Sequence, residues 1–206
     1  MSQYFHIHPD NPQLRLIKQA VSIVREGGVI AYPTDSAYAL GCHLGDKDAL
    51  QRIIRLRELD EKHHFTLMCR DLSEIATYAK VDNATYRLLK AHTPGAYTFI
   101  LTASGEVPRR LMHPKRKTIG LRVPDHPICQ SLLAELNEPL LTTTLQLPGA
   151  EAPLYDPEEI YETLGKQLDL VINGGFGAMI STTVVDLSGP NGIEILRHGA
   201  GDVSGF

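Results

Sequence analysis

Short apolar runs recur along this chain, and stretches of helical periodicity with capping residues separate them. VIAY (29–32), FTLMC (65–69), YTFILT (97–102), TIGLRV (118–123), PLLTTT (139–144), DLVI (169–172), TTVVDL (182–187) and IEILR (193–197) read as strands. AYALGC follows VIAY across a Pro-Thr-Asp-Ser break as a further apolar stretch. Between them, Ile17, Ala20, Val21 and Val24 recur at helical spacing, with Asn11 expected as N-cap and Pro12 at N1. Asp46, Asp71 and Asp82 stand where helices would start. Asp125 precedes the pattern Ile128, Leu132, Leu133 and Leu136, and Asp156-Pro157 opens another helix. Such alternation predicts an α/β architecture. Without repeats, low-complexity tracts or a long linker, one domain over 1–206 is the economical reading. The stretch 145–156 is expected to be an open, mobile loop.

Composition narrows the class. With 43% hydrophobic and 21% charged residues, the chain is neither disordered nor fibrous. Its apolar runs fall short of the roughly 20 residues that span a bilayer, and the N-terminus lacks the pattern of a signal peptide. Three widely spaced cysteines, Cys42, Cys69 and Cys129, predict free buried thiols, a reducing compartment and a cytoplasmic location. No paired Cys/His spacing predicts a metal site, and no Walker loop, G-x-S-x-G elbow or complete dinucleotide fingerprint is present.

Net charge is −4, yet its distribution is uneven. Arg109, Arg110, Lys115, Arg116, Lys117 and Arg122 crowd one stretch without an acid, whereas residues 123–170 hold nine acids and one base. An acidic chain with local basic stretches suits a cationic pocket or groove.

Chemistry-bearing residues gather at strand ends. Thr34, Asp35 and Ser36 follow the first apolar run in a proline turn, where binding to their own backbone is the plain alternative. Arg55 and Arg57 lie about 200° apart on a regular helix, so they converge only if the helix ends there. Arg122 at a strand end could grip a phosphate or carboxylate with its planar fork, or face solvent at an edge. Thr142, Thr143 and Thr144 suit a strand terminus on propensity alone. Gly174-Gly175-Phe176-Gly177, then Ser181-Thr182-Thr183, offer backbone amides and hydroxyls for an anion.

Taken in chain order, these segments resemble the YrdC/YciO family, which includes the threonylcarbamoyl-AMP synthases, from about residue 12 to residue 200. The resemblance rests on Pro33-Thr34-Asp35-Ser36-x-Tyr38-x-Leu40-Gly41, Arg55-x-Arg57, Pro94-Gly95-x-x-Thr98, Arg122-Val123-Pro124, Ser181-Thr182-x-Val184-Val185-Asp186 and Arg197-x-Gly199. FTLMCRDLS (65–73) is similar to the YciO branch. The resemblance implies a twisted open mixed sheet with flanking helices, similar to dihydroxybutanone-phosphate synthase. It implies binding of ATP with magnesium, and an L-threonine carbamate attacking the α-phosphorus in a reaction that serves tRNA modification. Such chemistry rests on positioning and charge stabilisation, with no protein nucleophile.

Carried over by residue, Thr34, Arg122 and Ser181 would contact a threonine-like substrate, and Arg55, Arg57, Thr144, Gln146 and Arg197 the nucleotide. Three departures alter the pattern: Arg55 replaces Lys, Thr144-x-Gln146 replaces Ser-x-Asn, and Cys69 stands where the synthases carry His. A synthase activity that is weak or redirected to another substrate is therefore expected. Two alternatives remain. One is binding of double-stranded RNA, tRNA or rRNA through a cationic concave surface with Arg109, Arg110, Lys115, Arg116 and Lys117. The other is a regulatory domain that binds a nucleotide without chemistry.

Overall fold

Burial patterns along the strands decide the architecture. In the computed structural model, which describes residues 2–60 and 62–206, nearly every residue of the central strands is buried. Among the described residues ten strands form one mixed sheet. They are β1 (Gln3–His6), β2 (Ile30–Tyr32), β3 (Ala39–His43), β4 (Thr66–Met68), β5 (Tyr97–Thr102), β6 (Thr118–Arg122), β7 (Leu140–Thr144), β8 (Leu170–Asn173), β9 (Thr183–Asp186) and β10 (Glu194–Arg197). Their order is β1-β8-β2-β3-β7-β4-β6-β5-β9-β10. Parallel pairs (β1·β8, β2·β8, β4·β6, β5·β9) mix with antiparallel ones, as the resemblance implied.

Successive side chains on a strand point to opposite faces, so the sheet builds two cores. Leu67, Phe99, Leu101, Ile119, Leu121, Leu141 and Val185 point to one face. They meet α2 (Lys47–Arg57), α3 (Leu72–Tyr78), α4 (Asn83–His92) and α6 (Pro157–Leu164) through Leu50, Ile53, Ile75, Leu89 and Ile160. On the other face, α1 (Leu14–Arg25) and α5 (Pro127–Leu136) cover Ile30, Tyr32, Ala39, Leu140, Leu170 and Ile172. That second layer reaches only as far as Leu140 and Met68. Beyond them, among the described residues, the same face of β7, β4, β6, β5 and β9 carries no helix, and it is formed by Thr142, Thr66, Gly120, Ile100, Thr98 and Val184.

Asp46, Asp71 and Asp82 cap their helices as read from the sequence, each accepting a backbone N–H at 2.8–2.9 Å. Two caps differ. Helix α1 starts at Leu14 with Gln13 as N-cap, because the amides of Asp10 and Asn11 turn back onto His8 Nδ1 and leave Asn11-Pro12 outside the helix. His126, and not Asp125, caps α5 by accepting from the Ile128 amide, because the Asp125 amide is given to the Asp35 carboxylate. Strand β1 was not expected: its QYFH pairs only with β8 at the sheet edge. The 145–156 loop is tied at its base, with the Leu145 amide donating to Tyr38 O and that of Leu154 to Leu145 O. Cys42, Cys69 and Cys129 are free and buried. Among the described residues no helix is long and apolar enough to cross a membrane.

Candidate anion-binding site

The uncovered half of that face is a hollow of about 430 Å³. Its floor follows from strand register. Thr66 lies opposite both Gly120 and Thr142, Gly120 lies opposite Ile100, and Thr98 lies opposite Val184. Directly opposed residues share a face, so hydroxyls from neighbouring strands are laid side by side. Gly120 deepens the middle of the row. A Cβ there would lie 2.6 Å from Thr66 Oγ1 and 3.2 Å from Thr98 Cγ2.

Arginines form the rim. Arg57, in the last turn of α2, donates from Nε to Gln146 O (2.9 Å) and from Nη1 to Thr143 Oγ1 (2.6 Å). Arg197, at the end of β10, donates from Nε to Thr182 O (2.9 Å) and from Nη2 to Thr182 Oγ1 (3.1 Å). Arg122 is 5% exposed and donates from Nη2 to the Asp35 carboxylate. Neither Arg57 nor Arg197 has a carboxylate partner among the described residues. Burial first, and then the neighbouring Arg197 charge, lowers the Arg57 pKa; burial and Arg122 do the same to Arg197. His63 on the same wall is pushed down to about 4, by burial first and Arg57 next. Guanidinium groups that repel one another across a hollow suit a negatively charged guest, whose arrival relieves the repulsion.

Of the residues singled out in the sequence, the hollow gathers Arg57, Arg122, Thr144, Gln146 and Arg197. Arg55 is exposed on α2 and stands outside the lining, as helix geometry allows only one of the pair to face inward. Thr34 is buried in its turn, accepting from the Ser36 amide (3.0 Å) and donating to Ala37 O (2.6 Å). Its hydroxyl is thus spent on the backbone. Ser181 precedes the lining residue Thr182 and is not itself on the wall. Arg109, Arg110, Lys115, Arg116 and Lys117 are exposed on a separate segment. There Arg116 pairs with Asp186 at 2.6 Å and Arg110 donates to Leu44 O.

Sequence reasoning missed Lys62, His63, His64, Thr66 and the role of Asp35. Asp35 was expected to bind its own turn, but it bridges Arg122 and the Asp125 amide about 90 residues away. Among the described residues no carboxylate lines the hollow, and no group of three His, Cys, Asp or Glu suited to a metal occurs. The described residues therefore form no cluster suited to magnesium.

Fold and hollow together define an open-faced α/β protein with an arginine-rimmed hollow on its sheet. Residues 22–199 match the Sua5/YciO/YrdC family, described as telomere recombination, and the chain belongs to that family. It is similar to YciO of Escherichia coli, with 60% identity over the whole of both chains, and a crystal structure of that protein superposes with a TM-score of 0.97. The human threonylcarbamoyl-AMP synthase is 33% identical over 89% of this chain and 67% of its own, so the chain is homologous to those synthases. Pyrococcus abyssi Sua5, whose crystal structure contains L-threonine, shares the fold at a TM-score of 0.87 and 23% identity, over 96% of this chain and 58% of that one.

Proposed function

We propose that the hollow binds ATP and an amino-acid-derived carboxylate, with a threonylcarbamoyl-AMP synthase activity that is weak or redirected to another substrate. One observation carries this reading: Arg57, Arg122 and Arg197, from three separate elements, rim a single hydroxyl-floored hollow. The carbamate formed from L-threonine and bicarbonate would attack the α-phosphorus of ATP. The bond to the β-phosphate oxygen would break, giving an adenylate and pyrophosphate. Arg57 and Arg197 would hold the phosphates, where charge-assisted bonds are strongest. Arg122, braced by Asp35, would hold a carboxylate. Catalysis of this kind uses placement and charge alone, and no side chain needs to act as nucleophile.

The weakening follows from two placements. Arg55, which replaces the lysine of the synthase motif, is exposed outside the lining. Cys69 is fully buried and gives no imidazole to the hollow. ATP should stabilise the protein thermally. With ATP, magnesium, bicarbonate and L-threonine, pyrophosphate release should be slow and should fall at least tenfold in Arg57→Ala. Absence of both an ATP-induced thermal shift and any pyrophosphate would overturn the reading. The shared exposure of the 109–117 cations favours a second reading, binding of double-stranded RNA or structured tRNA or rRNA. A steep loss of RNA affinity between about 50 and 200 mM salt, flattened by replacing Lys115, Arg116 and Lys117 with Ala, would support it.

A further inference from the structure

Hydroxyl groups have one proton to give, and that simple limit assigns a role to a residue of the floor. Thr182 is 3% exposed, and its Oγ1 accepts from Arg197 Nη2, since a guanidinium cannot accept. Its one other side-chain partner is Thr98 Oγ1 at 2.8 Å, itself 8% exposed. One proton of the pair stays unspent in either arrangement, and if Thr98 were the donor it would stay on Thr182, which already accepts from Arg197 and is the more enclosed of the two lining hydroxyls, 3% against 8% exposed. An unspent donor costs least on the less enclosed hydroxyl, so Thr182 donates to Thr98. Thr98 then accepts, and its proton remains to be spent. Its methyl group is the part nearest Gly120, and the residue lines the hollow.

We infer that Thr98 is a ligand-binding residue: its hydroxyl donates to an anionic oxygen of the guest, at the end of a chain running Arg197 to Thr182 to Thr98. Thr182 is the positioning residue. It fixes the Arg197 fork through both Nη2 and Nε, and it sets the direction of the Thr98 proton. Each link polarises the next, so the hydroxyl at the end is a stronger donor than an isolated threonine. The inference rests on the reading that the hollow receives an anion, and it adds a neutral donor to the arginine rim.

The test is calorimetric titration of tripolyphosphate and, separately, of ATP into wild type, Thr98→Val, Thr98→Ser and Thr182→Val, with thermal melts to verify folding. Thr98→Val should weaken tripolyphosphate by about tenfold, the loss of one hydrogen bond to a charged group. Thr98→Ser, which keeps the hydroxyl, should restore most of it. Thr182→Val should cost more than Thr98→Val, because it also removes the Nη2 bond, one of the two that fix Arg197. A folded Thr98→Val that binds tripolyphosphate as wild type does, or a serine variant as weak as the valine one, overturns the role of Thr98. Wild type that binds tripolyphosphate but not ATP, with Thr98→Val still impaired, overturns the nucleotide reading and leaves this one standing. Wild type that binds neither overturns both.

Discussion

Asp35 and Arg122 form the ion pair on which the hollow's wall hangs, with side chains 10% and 6% exposed. A buried pair adds little net stability, but removing one partner leaves a buried charge uncompensated. Asp35→Ala should therefore destabilise the protein by about 3 kcal/mol, and chemical denaturation measures it. A loss below about 1 kcal/mol would show that Arg122 finds another partner or water. His63 sets a pH dependence. Its folded pKa near 4 lies below the unfolded value of 6.5, with burial the main cause and Arg57 the next. The unfolded chain then binds the extra proton, so stability is full above pH 6.5 and is lost as pH falls from there toward 4. Tm measured from pH 7 to pH 4.5 should drop more steeply in wild type than in His63→Gln. Parallel curves would mean that His63 titrates normally.

Strand β6 is where element and site are joined. Gly120 lies between Thr66 on β4 and the threonine methyl on β5, and its missing side chain makes the dip in the floor. Gly120→Ala must push Thr66 Oγ1 aside, and the Phe65 carbonyl 3.1 Å from the new Cβ resists. ATP affinity should fall by about tenfold or more, with a smaller fractional effect on folding. Unchanged affinity would show that the guest does not use the dip. The strands themselves were legible in the sequence, because VIAY, FTLMC and YTFILT are short apolar runs bounded by turn residues, and Asp46, Asp71 and Asp82 signal helix starts chemically. Edge strand β1 was not, since its half-exposed QYFH carries neither a continuous apolar run nor a strict alternation. The helix starts at Gln13 and His126 escaped for a different reason: backbone amides just before them are bound elsewhere, those of Asp10 and Asn11 to His8 and that of Asp125 to Asp35.

For the whole molecule, Arg57, Arg122 and Arg197 could be named from the chain, but their meeting place depends on sheet order, which juxtaposes β9 with β5 and β7 with β4. Those neighbours are decided by packing over long separations. The pairing of Asp35 with Arg122 is hidden for the same reason. One feature of that sheet reaches further. Along β5 and β6, hollow and core alternate residue by residue: Thr98, Phe99, Ile100 and Leu101 on one, Ile119, Gly120, Leu121 and Arg122 on the other. The strands are written in two interleaved scripts, one for cohesion and one for recognition. A lineage could rewrite every second letter and acquire a new guest without disturbing the foundations, so relatives on this scaffold are free to diverge in what they bind long before they diverge in shape.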